Sequence, residues 1–293
     1  MIKTDVHMHT DFSHDSDSTP EQMAEGAIEK GLEAICFTDH YDKDNMDWGP
    51  EDIFDPEKYF EKMRQVQEKY RDRIRIRIGV ELGLQPHLGG FYKEFAEKYS
   101  FDFVIGSVHS AERSDIAQKR IFAGRTDEET YRVVFQEMIE DVKAYHGFDV
   151  FGHVDYVARY GRGQEKEYSY KRFADEIDTL LRILVDNGCG IELNMSGLKY
   201  GLPFAHPHAD VLKRYRELGG EIITVGADGH RPEHIAYDFE KASAGLRQLG
   251  VQLQVNKNKL AYTKLYAPSA GLVEKVNFSA AEMVDAGTAV INM

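Results

Sequence analysis

Two periodicities alternate along the chain. Short runs of apolar and β-branched residues, at positions 2–6, 34–38, 74–80, 101–108, 149–152, 190–193 and 222–225, are separated by longer segments in which apolar residues recur every three or four positions. Continuous apolar runs of this length suit strands buried on both faces, and a 3.6-residue stripe suits a helix covering them. The pattern therefore predicts seven strands in repeated βα units on a mainly parallel sheet. Local chemistry marks the helix starts. Thr19-Pro20-Glu21-Gln22 supplies an N-cap, a first-turn proline and a capping-box glutamine, Asp55-Pro56 opens another helix in the same way, and Thr126 with Glu129 forms a further capping box. Apolar stripes at Tyr131, Val134, Phe135, Met138, Val142 and Tyr145, and at Phe173, Ile177, Leu180, Leu181 and Leu184, define two later helices, the second stopped by Gly188. Val211, Leu212, Tyr215 and Leu218 precede Gly219 in the same pattern, and Ile235, Phe239, Ala242, Leu246 and Leu249 precede Gly250.

No linker-like composition and no internal repeat divides residues 1–250, so one domain over residues 1–266 is expected. Val251, Leu253 and Val255 alternate as a short strand would. From position 267 to 293 the pattern weakens into small residues, read as a C-terminal tail without an assigned role.

Composition narrows the class. With 42% apolar residues in 293 a full-sized core is available, and a formal charge of −14 with no segregated basic run disfavours a nucleic-acid partner. No apolar window is long enough to span a bilayer and the N-terminus has no signal-peptide pattern, so a soluble, cytoplasmic protein without membrane contact is expected. The two cysteines, Cys36 and Cys189, each lie in an apolar run, which excludes a disulfide scaffold or a Cys-type zinc ribbon. Any metal would bind through nitrogen and oxygen. Twelve histidines in a chain with one tryptophan make position the deciding observation.

In parallel α/β barrels the chemistry sits just past the C-terminal ends of the strands. The first predicted strand ends in His7-Met8-His9, an i, i+2 pair sharing one face. The following strands run into Asp39-His40, Glu81, His109, His153 with Asp155, Glu192 with Asn194, and Asp228-Gly229-His230. Taken singly, a loop histidine such as His40 or His109 is ordinarily hydrogen-bonded and nothing more. Six histidines and two carboxylates just past so many different strands argue for a metal centre. Imidazole with carboxylate suits Zn, Mn or Fe, and so many groups exceed the three or four protein ligands of one catalytic zinc. Two or three divalent transition metals are expected, with Glu81 placed to bridge. His14, in the loop after the first strand, stays open as a further site residue, while His87, His146, His206, His208 and His234 are read as ordinary.

The segments His7-x-His9, Phe37-Thr38-Asp39-His40, Glu81 after an apolar strand, Gly106-Ser107-Val108-His109, Gly152-His153-Val154-Asp155 and Gly226-Ala227-Asp228-Gly229-His230 resemble, in order, the motifs of the polymerase and histidinol phosphatase (PHP) family. Asp11 to Ser16, Tyr156-x-x-Arg159-Tyr160-Gly161 and Glu192 to Lys199 look closest to its histidinol-phosphate phosphatase branch. The resemblance implies a distorted (β/α)₇ TIM-like barrel with a trinuclear site. One metal would take His7, His9, Glu81 and Asp228; a second His40, His230 and a group from the first loop; a third Glu81, His109 and His153. Asp15 is the first choice for that loop group, with His14 beside it.

The residues and the resemblance meet on phosphate-monoester hydrolysis by a metal-bridging hydroxide, with histidinol phosphate as substrate implied by the resemblance alone. Glu81, Asp228, His230 and His14 are expected to carry catalysis, and Arg159 and Lys199 to clamp the phosphate, the arginine fork matching its geometry. The leaving alkoxide's proton would come from His14, Asp39 or a metal-bound water. The alternatives are a phosphoesterase or protein-tyrosine phosphatase on the same scaffold, and a non-catalytic metal-binding module.

Overall fold

The computed structural model describes residues 2–49, 52–163, 168–248, 252–255 and 263–266. In chain order the elements are β1 (Thr4–Asp5), α1 (Pro20–Glu29), β2 (Ala34–Phe37), β3 (His40–Tyr41), α2 (Pro56–Tyr70), β4 (Arg75–Gly83), α3 (Gly89–Lys98), β5 (Phe103–Ser107), β6 (Ser110–Ala111), β7 (Ser114–Asp115) and α4 (Asp127–Ala144). They continue with β8 (Val150–Phe151), α5 (Ala174–Asp186), β9 (Gly190–Asn194), α6 (Ser196–Lys199), α7 (Ala209–Glu217), β10 (Ile223–Gly226), α8 (Phe239–Gln248), β11 (Gln252–Val255) and β12 (Thr263–Tyr266).

Seven strands follow one another in parallel in the order β1-β2-β4-β5-β8-β9-β10, the seven that the apolar runs predict. Closure between β10 and β1 comes beyond the strand ends, at a parallel bridge between Met8 and Gly229, where the Asp228 and His9 amides bond across at 2.9 Å. Asp5 supports the seam from below. Its buried carboxylate accepts from the amides of His7, Ala227 and Ala236, and burial, partly offset by those donors, raises its pKa to about 6. The sheet is thus a distorted seven-stranded barrel.

Two apolar layers hold it. Ile35, Phe37, Ile78 and Ile191 face outward into the large core under the helices, whereas Val6, Cys36, Phe103, Ile105 and Val150 form a separate inner cluster. Alternation along β5 puts Phe103, Ile105 and Ser107 on one face, and the Ser107 hydroxyl reaches Glu81 at 2.6 Å. The inner cluster is therefore the floor on which the strand-end residues stand. Gly79 permits this close packing, since a Cβ there would lie 2.6 Å from the Phe103 carbonyl.

The predicted caps form. Thr19 with Gln22 and Thr126 with Glu129 make capping boxes, Asp55 accepts from Glu57 and Lys58, and Gly188 and Gly219 follow α5 and α7 with φ of 71° and 94°. The helix read from Ile235 begins later, at Phe239. Ile235 is buried in the same core, but Ala236 and Asp238 have left-handed φ of 51° and 52°, which interrupts helical geometry between them. Helix α3 has no counterpart in the reading, because Gly89-Gly90 opens it and Leu88 offers no capping side chain. The expected strand over 251–255 is β11, antiparallel to β12. Leu249, Gly250, Val251 and the tail 267–293 lie outside the described residues.

Candidate metal centre

Glu81 emerges from β4 at the middle of the barrel mouth, fully buried, and its two oxygens face different sets of imidazoles. Oε1 lies 3.0 Å from His153 Nε2 and 3.3 Å from His109 Nε2, which are 3.3 Å apart. Oε2 lies 3.1 Å from His7 Nε2, 3.5 Å from His9 Nε2 and 3.0 Å from His40 Nδ1. Asp228 enters from the other side, with Oδ1 3.3 Å from His9 Nε2 and 3.9 Å from His7 Nε2. A third convergence forms at the rim, where Asp15 Oδ2 is 2.9 Å from His230 Nε2 and Oδ1 is 3.7 Å from His40 Nε2. All nine residues expected as ligands thus meet in one cluster.

Of the two groups in the first loop, Asp15 turns inward while His14 turns to Trp48, with ring centroids 3.9 Å apart, and stands 5.5 Å from the His40 ring. Asp39 faces the loop rather than the cluster. Its carboxylate accepts from the Thr10 amide at 2.6 Å and from the hydroxyls of Thr10 and Ser13, so it shapes the turn that delivers Asp15. Asp155 and His206, at the end of β8 and in the loop after α6, pair with each other at 2.6 Å, both fully buried, and the other Asp155 oxygen accepts from the His208 amide.

Outer partners fix the imidazoles. His7 Nδ1 lies 2.7 Å from Glu192 Oε1, His109 Nδ1 2.7 Å from Asp42 Oδ1, and His9 Nδ1 3.1 Å from Ser13 Oγ. Each contact occupies the outward nitrogen and leaves Nε2 facing the cluster. Asn194 Nδ2 in turn bonds Glu192 at 3.0 Å and Asp228 at 3.4 Å. Sequence reasoning noted Glu192 and Asn194 at a strand end without giving them a task, and read neither Asp42 nor Ser13 as a partner of a histidine. The i, i+2 spacing of His40 and Asp42 was the available signal. Asp228 itself has φ 54°, a left-handed value that aspartate tolerates, and its carbonyl accepts from His230 Nδ1 at 3.1 Å and from Lys199 Nζ.

The donor set fits divalent cations. His7 Nε2, His9 Nε2, His40 Nδ1, Glu81 Oε2 and His230 Nε2 are buried and, despite nitrogen-to-oxygen approaches of 2.9 to 3.5 Å, make no well-directed hydrogen bond, although buried polar atoms ordinarily have one. Burial opposes charge throughout, yet His7, His109 and His40 hold Glu81 well below the usual carboxylate range, and His7 and His9 do the same for Asp228. Burial and the neighbouring His40 and His230 push His9 down, keeping its nitrogen available as a lone-pair donor. Groups of three such side chains lie within ligating reach at His7-His9-Glu81, His9-His40-His230, Glu81-His109-His153 and His40-Asp42-His109.

Arg159, after β8, makes no ion pair among the described residues and stacks on tyrosines. Lys199, in α6, donates to the carbonyls of Ala227 and Asp228, which ties it to the loop that carries Asp228.

A parallel barrel whose strand ends converge clustered histidines and carboxylates defines a metal-binding enzyme of the α/β-barrel class. The PHP domain model matches residues 5–196, and the chain belongs to that family. It is 32% identical over 238 residues to a probable histidinol-phosphatase from Clostridium acetobutylicum, covering 81% of this chain and 90% of that protein. A histidinol-phosphatase from Lactococcus lactis is 29% identical, with 88% and 98% covered. The crystal structure of histidinol phosphate phosphatase from L. lactis, complexed with zinc, L-histidinol and phosphate, matches with a TM-score of 0.75 at 30% identity, covering 85% of this chain and 94% of that one. Among the described residues no helix is long and apolar enough to cross a membrane.

Proposed function

We propose that this chain is a metal-dependent phosphate-monoester hydrolase that converts L-histidinol phosphate and water to L-histidinol and phosphate. The observation that carries this reading is Glu81, a buried carboxylate with imidazoles converging on each of its oxygens, in a chain similar over most of its length to a phosphatase that holds zinc, L-histidinol and phosphate. Glu81 would bridge one ion held with His7, His9 and Asp228 and another held with His109 and His153. Asp15, His40 and His230 would hold a further one. Two or three ions of the Zn, Mn or Fe type, bound there, supply an activated water as nucleophile and offset charge on the phosphoryl oxygens.

The chain's own residues supply orientation and proton transfer. Glu192 and Asp42 set the tautomers of His7 and His109 so that each presents Nε2 inward. Arg159, which makes no ion pair among the described residues, offers its guanidinium fork to the phosphate, and Lys199, anchored on the Asp228 carbonyl, adds a second cation. As the bond from water oxygen to phosphorus forms and the ester P–O bond breaks, the departing alkoxide needs a proton, and we assign that transfer to His14. Its partly buried ring lies 5.5 Å from that of His40, at the rim of the cluster and outside the set of converging carboxylates.

Substrate choice is tested by kcat/KM for L-histidinol phosphate against phosphotyrosine and phosphoserine. A preference of about a hundredfold for histidinol phosphate is expected, since polar recognition of one leaving group discriminates that strongly. Equal turnover of all three would leave a general phosphomonoesterase instead.

A further inference from the structure

Arg159 has its guanidinium carbon 3.7 Å from the ring centroid of Tyr200, 5.3 Å from Tyr156 and 5.2 Å from Tyr160, and is close enough to Asp228 of the cluster to feel its charge. Arg159 is partly buried, and arginines drawn out of water are ordinarily paired with carboxylates, which cancel their charge. Here three aromatic faces do the holding. A ring quadrupole attracts a cation without neutralising it, so a guanidinium stacked in this way keeps its full charge and free N–H groups at its edge. The cage has internal support, since the Tyr156 and Tyr160 hydroxyls bond each other at 2.6 Å and Tyr156 lies against His153 with centroids 4.7 Å apart. Tyr200 differs from the other two. It is 46% exposed, one of only two large hydrophobic side chains among the described residues exposed to that degree, and its ring also lies 4.9 Å from Lys199 Nζ. An aromatic ring left at the surface beside both cations contributes little to the core. It meets both Arg159 and Lys199, the second of which donates to the Asp228 carbonyl.

We propose that Tyr200 is a positioning residue for phosphate: its ring face, completing an aromatic cage with Tyr156 and Tyr160, fixes the Arg159 guanidinium near Asp228 of the metal cluster with its charge free for the phosphoryl oxygens. The inference rests on the proposed role of Arg159 in holding the phosphate. It places the main requirement on the ring face, with the Tyr200 hydroxyl, which also bonds Arg159, adding the smaller part.

The test uses the metal-loaded full chain with L-histidinol phosphate as substrate and inorganic phosphate as competitive inhibitor. Tyr200→Ala is expected to raise KM and the inhibition constant for phosphate by about tenfold, the scale of a partly desolvated cation–π contact, with metal content and thermal midpoint unchanged. Tyr200→Phe should raise them much less. In an Arg159→Ala background, Tyr200→Ala should add nothing, because the ring acts through the arginine. Overturning results are a KM for Tyr200→Ala within twofold of native, equal damage from Tyr200→Phe and Tyr200→Ala, or full additivity with Arg159→Ala. If Arg159→Ala itself leaves KM and phosphate inhibition unchanged, it is the phosphate-holding reading of Arg159 that fails, and the cage falls with it.

Discussion

His7 turns Nδ1 to Glu192 at 2.7 Å and Nε2 to Glu81 at 3.1 Å, so one ring nitrogen is spent on orientation and the other is left for a ligand. The two carboxylates differ in task though both are fully buried: Glu81 faces several imidazoles, while Glu192 faces His7 and is held by Asn194. Removing such an outer partner loosens the ligand it orients and typically weakens metal binding 10- to 100-fold. Glu192→Ala is therefore expected to lose about that factor in zinc affinity, measured by competition with a chelating dye, and Glu192→Gln less, because the amide still bonds Nδ1. An affinity unchanged in both variants would remove Glu192 from the support of the centre. His14 and Asp15 illustrate what sequence leaves open at this scale. They are adjacent, both can bind a metal, and only the turn that Asp39 holds through Thr10 and Ser13 decides which one faces His40 and His230.

The elements were legible wherever local chemistry repeats. Seven apolar runs became seven parallel strands, since strands covered on both faces need no polar alternation, and three predicted N-caps formed because a hydroxyl or carboxylate two or three residues ahead satisfies orphan amides on its own. The candidate ligands were noticeable for the same reason, each lying just past a strand end, and the structure brings them together. Helix α3 was hidden by its glycine start, the start of α8 by a stripe that continues through non-helical residues, and the Glu192–His7 pair by a separation of 185 positions. No local pattern encodes such a pairing. The Arg159 cage was equally invisible, because it joins tyrosines from two loops. The caps also give a prediction for α4. Thr126 accepts from the Glu129 amide while Glu129 returns a bond to the Thr126 amide, so Thr126→Ala should cost about 1 kcal/mol of unfolding free energy in a urea titration, with activity retained. A loss below a few tenths would mean that α4 is held by its packing alone.

At the scale of the whole molecule, burial of acids should shape stability as well as chemistry. Asp141 on α4 is buried with neither carboxylate oxygen hydrogen-bonded, and burial, with Glu137 and Glu140 nearby, pushes its pKa up to about 8. The folded chain then keeps a proton that the unfolded chain releases near pH 3.8, the ordinary value for aspartate. A folded pKa above the unfolded one makes stability highest below pH 3.8 for this group and lowers it steadily as pH rises to about 8, where the loss levels off. Asp141→Asn removes this penalty, so it should raise the thermal midpoint, and by more at pH 8 than at pH 5. An equal shift at both pH values would show that Asp141 is ionised in the folded state.

The formal charge of −14 includes the buried carboxylates of the centre, and dications bound there would offset them where an anionic substrate must approach. Metal content and hydrolysis should therefore rise and fall together. The most direct measurement is phosphate release from L-histidinol phosphate by protein stripped with a chelator, then reloaded with Zn, Mn or Fe while bound metal is counted. Activity should vanish on stripping and return in step with two or three bound ions, and Glu81→Ala should recover neither. Hydrolysis that persists in the stripped protein, or a fully loaded protein that releases no phosphate, would contradict a metal-dependent phosphatase.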